Sequence, residues 1–176
     1  MYNAPRAASI IAKTDGVLWT LDRETFNNIV KASAINKREK YESFLKSVNI
    51  LKSIEPYELS QICDAVKTKK YSDGEYIIKQ YEEGDDFYII ESGEAVATKI
   101  LNEGEKAKEV KEYSMGGYFG ELALIKNEPR AANVIAKGNC EVLYLDRKSF
   151  KRLLGPIENI LKRNFDDYNK YINKVK

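Results

Sequence analysis

A segment near the start of the chain repeats a segment near its end without a gap. Residues 3–26 align with residues 127–150 at a constant shift of 124 positions, and twelve of the 24 aligned positions are identical. The identities fall at Asn3, Pro5, Arg6, Ala7, Ala8, Ile11, Ala12, Lys13, Leu21, Asp22, Arg23 and Phe26. A repeat of this length indicates two copies of one domain. In a chain of 176 residues we therefore predict a remnant of a first copy over residues 1–48 and a complete second copy over residues 49–176.

The second copy contains short apolar runs separated by turn residues. The runs that read as strands after Lys69 are residues 76–78, 87–90, 95–100, 109–113, 133–136 and 142–145. Pairs such as Asp73-Gly74, Ser92-Gly93 and Gly116-Gly117 lie between them and are typical of turns. Many short strands with glycine turns favour a closed antiparallel barrel of the jelly-roll type. We interpret the charged stretch 99–111 as a solvated hairpin tip at which no functional groups converge.

Helical periodicity flanks these strands. The predicted helices cover residues 23–31, 36–48, 55–66, 149–154 and 157–175, and the last two are separated at Gly155-Pro156. In the first copy, residues 9–12 and 17–21 are predicted as short strands. The predicted fold class is therefore α+β and mainly β, with an antiparallel jelly-roll-like barrel flanked by helices.

The amino-acid composition excludes several classes of catalytic and metal-binding site. The chain has no histidine, which excludes Ser-His and Cys-His catalysis and imidazole metal ligands. Its 29 basic and 27 acidic residues nearly balance, so bulk charge does not draw it to nucleic acid or to an acidic membrane. Cys63 and Cys140 are too few for a disulfide framework and fit a reducing compartment. No apolar run approaches the length of a bilayer span, and we expect a cytoplasmic protein without a metal or cofactor.

The stretch from Gly116 to Ala132 has the composition of an anion-binding site. Three glycines allow close approach of the backbone to a ligand, and a helical turn over residues 122–125 would present its amides to a phosphate. Arg130 offers two parallel donors to phosphate oxygens. Glu121 would need a different partner, such as a sugar hydroxyl. From the residues alone two interpretations remain open: a nucleotide pocket that selects ribose, or a glycine turn with a surface glutamate and arginine.

The same stretch closely resembles the phosphate-binding cassette of cyclic nucleotide-binding domains, in particular those of the regulatory subunit of cAMP-dependent protein kinase. The matching residues are Phe-Gly-Glu-Leu-Ala-Leu-Ile at 119–125 and Pro-Arg-Ala-Ala at 129–132. The resemblance implies eight barrel strands, a bond from Glu121 to the ribose 2'-hydroxyl and a bond from Arg130 to the cyclic phosphate. Ala131 matches cAMP-selective sites. The implied cAMP-binding residues are Gly120, Glu121, Leu122, Ala123, Arg130, Ala131, Ala132 and Tyr168.

The resemblance also bears on residues outside the cassette. Tyr168, in the apolar-aromatic stripe of the last predicted helix, matches an aromatic residue that stacks on the base. Tyr57 stands where the family has a tryptophan that caps the first domain's nucleotide, and here we expect a surface residue. Arg38 and Asp64 match an ion-pair relay between the two domains, although solvated charges are the simpler expectation. Arg6 has no matching glutamate or glycine turn in this chain, so we expect no competent first site.

The function implied by the resemblance is that of a cAMP-binding regulatory module without enzymatic activity. Its implied partners are cAMP and the catalytic subunit of cAMP-dependent protein kinase, which ligand binding would release by a population shift. A cGMP-responsive kinase module is one alternative, disfavoured because Ala131 has no hydroxyl for the guanine amino group. A transcription regulator sharing the barrel would need a helix-turn-helix where one long helix is predicted. A metal-dependent oxygenase on a jelly-roll barrel would need histidine ligands.

Overall fold

The computed structural model describes residues 7–101, 104, 106–157 and 161. The chain divides into two compact units, Met1–Ile35 and Asn36–Lys176. This division reflects compactness, whereas the predicted boundary after residue 48 concerns homology between the two copies and stays a prediction. The helix predicted over residues 157–175 lies almost wholly outside the described residues.

The first unit lacks the strands predicted for it. Residues 7–22 form neither helix nor strand, so the predictions for 9–12 and 17–21 are wrong. A strand is stable only when its backbone groups pair with a neighbour. The equivalent residues of the second copy find such neighbours in three strands, and the described residues of the first unit provide none. The repeated sequence therefore adopts different structures in the two settings.

One local feature of the repeat is nevertheless preserved in each copy. Asp22 accepts a hydrogen bond from the backbone amide of Thr25 at 2.8 Å, and Asp146 accepts one from the amide of Ser149 at 2.9 Å. Each aspartate thereby satisfies an amide that the first turn of the following helix leaves unpaired. Hydrogen bonds from the Thr25 hydroxyl and then the Thr25 amide lower the pKa of Asp22, and the bond from the Ser149 amide lowers the pKa of Asp146. The helix-start signal therefore works locally, without the sheet.

The helices begin and end largely where the sequence predicts. They are α1 (Arg23–Ser47), α2 (Pro56–Ala65), α3 (Glu121–Lys126) and α4 (Arg147–Leu154), with short 3-10 helices at Asn49–Leu51 and Gly155–Ile157. The one difference is α1, a single helix where two were predicted. The intervening residues 32–35 contain neither glycine nor proline, so no residue there ends a helix. No described helix is both long and apolar enough to cross a membrane.

The second unit is built on an antiparallel sheet. Its strands are β1 (Lys67–Tyr71), β2 (Tyr76–Ile78), β3 (Asp86–Lys99), β4 (Lys108–Tyr113), β5 (Tyr118–Phe119) and β6 (Asn133–Asp146). The order is β1-β6-β3-β4, with β2 paired to β6 and β5 paired to β3. The described residues are thus mainly antiparallel β structure with four α-helices, as predicted in outline. Closure into a barrel of eight strands stays a prediction.

Two pairs of the six predicted strands are each one continuous strand, and β1 and β5 were not among the predicted strands. Residues 87–90 and 95–99 both belong to β3, and residues 133–136 and 142–145 both belong to β6. Gly93, predicted to mark a turn, lies inside β3 at a φ of +82° where the register with β6 shifts. A glycine in a strand pattern can mark such an irregularity as readily as a turn.

Alternate residues of β3 pack into two different cores. Phe87 and Ile89 join the helical core, to which α1 contributes the fully buried Leu45. Tyr88 and Ile90 point to the opposite face and join a core formed by the strands themselves. This alternation follows from the two-residue period of a strand. Because both faces of β3 are buried, its register is strongly specified.

The close packing of β3 against β6 at Gly93 can be tested by comparing Gly93 with Gly138, a glycine that also has positive φ but has open space around it. A Cβ on Gly93 would lie 2.2 Å from the carbonyl oxygen of Asn139 and 2.9 Å from the Cα of Cys140, whereas a Cβ on Gly138 meets nothing within 4 Å. Both glycines have positive φ, so both alanine variants carry backbone strain. We expect Gly138→Ala to lower the free energy of unfolding by about 1–2 kcal/mol. Gly93→Ala should lower it by about 3 kcal/mol or more, because backbone atoms must also move.

Urea denaturation of the two variants and the parent measures the difference. Equal losses in the two variants would contradict the packing of Gly93 against β6.

Candidate functional site

A cavity of about 260 Å³ opens beside α3 in the second unit. Seven of the eight predicted binding residues line it: Gly120, Glu121, Leu122, Ala123, Arg130, Ala131 and Ala132. β3 and β4 also line the cavity, through Ala97, Val110 and Tyr113. The eighth predicted residue, Tyr168, lies outside the described residues. The structure thus gathers the cassette around one space, and the binding roles of these residues stay predictions.

Arg130 is held at the cavity by both its backbone and its side chain. Its amide donates to the carbonyl of Glu82, and its carbonyl accepts from the amide of Tyr81, each at 2.9 Å. The guanidinium donates from Nη1 to the carbonyl of Gly120 at 2.8 Å and from Nη2 to the carbonyl of Asp86 at 2.7 Å. Only 5% of the residue is exposed. The orientation of the guanidinium is therefore fixed by the protein itself.

The Arg130 charge is desolvated without a carboxylate to neutralise it. Among the described residues, no carboxylate forms an ion pair with this guanidinium, whose partners are the two carbonyls and the face of Tyr88, 5.9 Å from the Cζ. Burial lowers the pKa of Arg130 from its ordinary value. Burying a cation is costly unless a counter-charge or strong acceptors compensate. The site is therefore suited to an anion.

Two glycines make room for the guanidinium. A Cβ on Gly84 would lie 1.8 Å from the Nε of Arg130. Gly120 has a φ of +90°, and a Cβ there would lie 2.7 Å from the Nη1 of Arg130. A side chain at Gly84 or Gly120 would therefore overlap the guanidinium of Arg130.

Glu121 occupies the first position of α3 and faces the same cavity. It is 2% exposed, and burial raises its pKa to about 7, opposed by a hydrogen bond from its own backbone amide and by the charges of Lys111 and Arg130. A carboxylate with this pKa changes charge near neutrality. A buried carboxylate is stable when a donor such as a hydroxyl satisfies it. The cavity thus offers a cation for an anionic group and an acceptor for a hydroxyl group.

The hairpin of β3 and β4 corrects one interpretation. Lys99 and Lys111, the first and last residues of the stretch 99–111, line the cavity, although the sequence suggested a solvated tip where nothing converges. The alternating charges of the stretch concealed this placement. The available signal was that Lys111 precedes the buried Tyr113 by two positions and therefore shares its face of β4.

Arg147 is a second residue that sequence reasoning did not single out. From the start of α4 it donates to Asp85 Oδ1 at 2.7 Å, to Asn127 Oδ1 at 2.8 Å and to the carbonyl of Gly84 at 3.2 Å. It thereby joins the two loops that flank Arg130. The available signal was its identity with Arg23 in the internal repeat.

The other predicted residues lie away from the cavity. Tyr57 is 76% exposed, as predicted for a surface helix residue. Arg38 Nε lies 3.9 Å from Asp64 Oδ1 with both side chains exposed, a geometry that contributes little free energy, and the relay stays a prediction. Arg6 lies outside the described residues. No cluster of three or more His, Cys, Asp or Glu side chains suited to a metal occurs in the described part of the chain.

The raised pKa of Glu121 predicts a pH-dependent stability. Because the folded protein holds this proton up to about pH 7 against an ordinary value of 4.5, the contribution to stability is full below pH 4.5 and is lost as pH rises to 7. Between pH 5 and 8 we expect the parent to lose about 2–3 kcal/mol more of its free energy of unfolding than Glu121→Gln. Urea denaturation across this range measures the difference.

The matched control is Glu128→Gln, which removes an exposed carboxylate of the same stretch and should retain the parent's profile. Parallel profiles for the parent and Glu121→Gln would show that Glu121 does not titrate near neutrality.

Comparison with known proteins agrees with this geometry. The cyclic nucleotide-binding domain family matches residues 68–155, half of the chain. The cAMP-dependent protein kinase regulatory subunit of Emericella nidulans is 52% identical over 164 residues, which cover 93% of this chain and 39% of that protein. The chain likewise spans 42% of the regulatory subunit of Blastocladiella emersonii. It therefore spans about two fifths of the length of these curated relatives.

Two solved structures of regulatory proteins are also similar to this chain. The regulatory domain of Toxoplasma gondii PKA, crystallised with cAMP, is 53% identical with a TM-score of 0.80, covering 84% of this chain and 57% of that one. The regulatory subunit of a cAMP-independent protein kinase A from Trypanosoma cruzi, bound to guanosine, is 38% identical with a TM-score of 0.75, covering 88% of this chain and 56% of that one. The match to the family over half of its length, together with these likenesses, shows that this chain belongs to the cyclic nucleotide-binding domain family.

Proposed function

We propose that the chain is a cAMP-binding regulatory module. The observation that carries the proposal is the buried guanidinium of Arg130, which has carbonyl partners but no carboxylate ion pair among the described residues and faces a cavity shared with Glu121. A cyclic phosphate would supply the missing anion, and its ribose would supply a hydroxyl. In the full fold, β1 to β6 would belong to the eight-stranded closed barrel implied by the resemblance.

In this function the protein binds the nucleotide and does no chemistry on it. Arg130 pairs with the phosphate, Glu121 accepts the 2'-hydroxyl hydrogen, and residues 120–123 and 130–132 enclose both groups. Tyr168 would then close the site by stacking on adenine. A ligand that binds one arrangement of the protein better than another shifts the population toward it, by at most the difference in binding free energy.

The proposed protein partner and cellular compartment are inferred from the names of the similar proteins. Because they are named regulatory subunits of cAMP-dependent protein kinase, we propose that this chain takes part in inhibiting a kinase catalytic subunit in the cytoplasm and that cAMP relieves the inhibition. The chain's own role would be non-catalytic.

One relative motivates a second candidate ligand. The Trypanosoma cruzi structure holds guanosine, a nucleoside with no phosphate, so membership of the family does not by itself specify the ligand. Arg130 favours a phosphate-bearing ligand here, because a nucleoside would leave the guanidinium without an anion. The two carbonyl hydrogen bonds orient the guanidinium at the cavity, and a nucleoside has no anionic group to bind it there.

Removing the Arg130 side chain tests the proposal directly. We expect Arg130→Ala to weaken cAMP binding by about 2–5 kcal/mol, because the phosphate would be desolvated without a partner. Arg130→Lys should also bind weakly, because an ammonium cannot reproduce the two-pronged geometry. Isothermal titration calorimetry of the parent and both variants with cAMP, cGMP and guanosine measures these effects.

The parent should bind cAMP most tightly, and guanosine should bind weakly and equally to all three proteins. Unchanged cAMP affinity in Arg130→Ala, or guanosine binding as tight as cAMP binding, would refute the assignment.

Gly84 provides a test at a residue with no predicted ligand contact. We expect Gly84→Ala to reduce cAMP affinity at least tenfold, because the added methyl occupies the space of the Arg130 side chain and displaces the guanidinium. The fold should persist, because the displaced atoms are the end of a flexible side chain. Gly155→Ala is the matched control, since a Cβ there meets nothing within 4 Å. Calorimetry measures the cAMP affinity of both variants. Equal affinities would show that cAMP binding does not depend on the position of the Arg130 guanidinium.

A further inference from the structure

We propose that Asn133 is a positioning residue for the nucleotide phosphate. Its side chain holds the turn 79–82, and this turn holds the main chain of Arg130, whose side chain lines the cavity. Asn133 is buried, with 8% of the residue exposed, and it directly follows Ala131 and Ala132, which line the cavity. The inference rests on the proposed cAMP function and extends it to a residue outside the cassette.

The turn 79–82 contains a residue in a strained conformation. The amide of Glu82 donates to the carbonyl of Lys79 at 3.3 Å, and Tyr81, the third residue of this turn, has a φ of +70°. A positive φ at that position is typical of a type II turn, in which the residue is normally glycine. A tyrosine there is sterically strained, and such a residue persists only where surrounding contacts fix its conformation. The turn therefore depends on the contacts that hold it.

Main-chain hydrogen bonds join the turn to the cassette. Tyr81 donates to the carbonyl of Arg130, and Arg130 donates to the carbonyl of Glu82, each at 2.9 Å. Two residues of the turn thus oppose one residue of the cassette, which is the arrangement of a β-bulge. A shift of the turn would consequently move the backbone that carries the Arg130 side chain.

Asn133 connects this bulge to the sheet. Ile78 of β2 pairs with Val134 of β6, whereas residues 131–132 belong to no strand and line the cavity. At this point the amide of Gln80 donates to Oδ1 of Asn133 at 2.9 Å, in a buried hydrogen bond. A buried amide needs an acceptor. The Asn133 side chain thus supplies an acceptor for the turn where the cassette leaves the sheet.

Both side-chain amides of this network have further partners at the end of β3. Asn133 Nδ2 donates to Thr98 Oγ1 at 3.3 Å. The Gln80 side chain accepts from the Ile100 amide at 2.8 Å and donates to the Ile100 carbonyl at 3.2 Å. Paired buried amides rigidify the structure around them. The bond from Asn133 to Gln80 leads to the turn and to Arg130, whereas the bond to Thr98 leads away from it.

Two substitutions separate positioning from fold stability. Asn133→Leu removes both hydrogen bonds at similar side-chain volume, and Thr98→Val, the matched control, removes the bond that leads away from Arg130. We expect Asn133→Leu to bind cAMP at least about tenfold more weakly, because a displaced guanidinium no longer meets the phosphate. Thr98→Val should keep the parent's affinity within about twofold, because it leaves the bond to Gln80 in place. Calorimetry measures the affinities, and urea denaturation measures the stability of each variant.

A spectroscopic measurement follows the guanidinium in the ligand-free protein. The Nε–H resonance of Arg130 in a ¹H–¹⁵N spectrum is identified by its loss in Arg130→Lys. We expect this resonance to shift in Asn133→Leu and to keep the parent's position in Thr98→Val, since it reports the surroundings of the guanidinium. A loss of fold stability alone would not move it.

Three outcomes would overturn the inference and leave the proposed function intact: unchanged cAMP affinity in Asn133→Leu, equal weakening in both variants, or an unmoved Arg130 resonance. A parent that binds no cAMP would instead remove the proposed function, and the inference with it. Should Asn133→Leu not fold, Asn133→Ser replaces it, because the shorter side chain cannot reach the Gln80 amide. An affinity equal to the parent's would again refute the positioning role.

Discussion

The arrangement of the cavity depends on one buried guanidinium held by two main-chain carbonyls. Arg130 reaches Gly120 at the start of α3 and Asp86 at the start of β3, so a single side chain joins its own loop to a helix ten residues away and a strand 44 residues away in sequence. Carbonyl oxygens orient the guanidinium, and no carboxylate of the described residues forms an ion pair with it. The same contacts therefore build the site and prepare it for an anion, at a cost in desolvation that the rest of the second unit must offset.

The surrounding sequence supports this one arrangement. Gly84 and Gly120 leave the space that the guanidinium fills, and Arg147 ties the loops on either side of it. β3 contributes to the two cores on its opposite faces and fixes the carbonyl of Asp86 in place. Glu121 adds a buried carboxyl group to the same cavity. Arg130 lies between α3 and β6 and is positioned by hydrogen bonds, whereas Glu121 is positioned by α3.

The extent to which sequence predicted this structure varied with the range of the interaction. Local signals worked: α2 and α4 begin and end within two residues of their predicted ranges, and the seven predicted binding residues that are described line one cavity. Signals that depend on long-range pairing failed. Residues 9–12 and 17–21 have strand-like sequence but no strand to pair with, and Gly93 marks a bulge because β6 runs alongside it. Lys111 was missed because the alternating charges of its stretch concealed that it shares a face of β4 with the buried Tyr113.

The most direct test of the central claim is a crystal structure of this chain with cAMP. The account predicts exocyclic phosphate oxygens within hydrogen-bonding distance of the Arg130 guanidinium and the ribose 2'-hydroxyl against Glu121, in the cavity beside α3. A nucleotide bound elsewhere, or bound here with its phosphate turned away from Arg130, would contradict it.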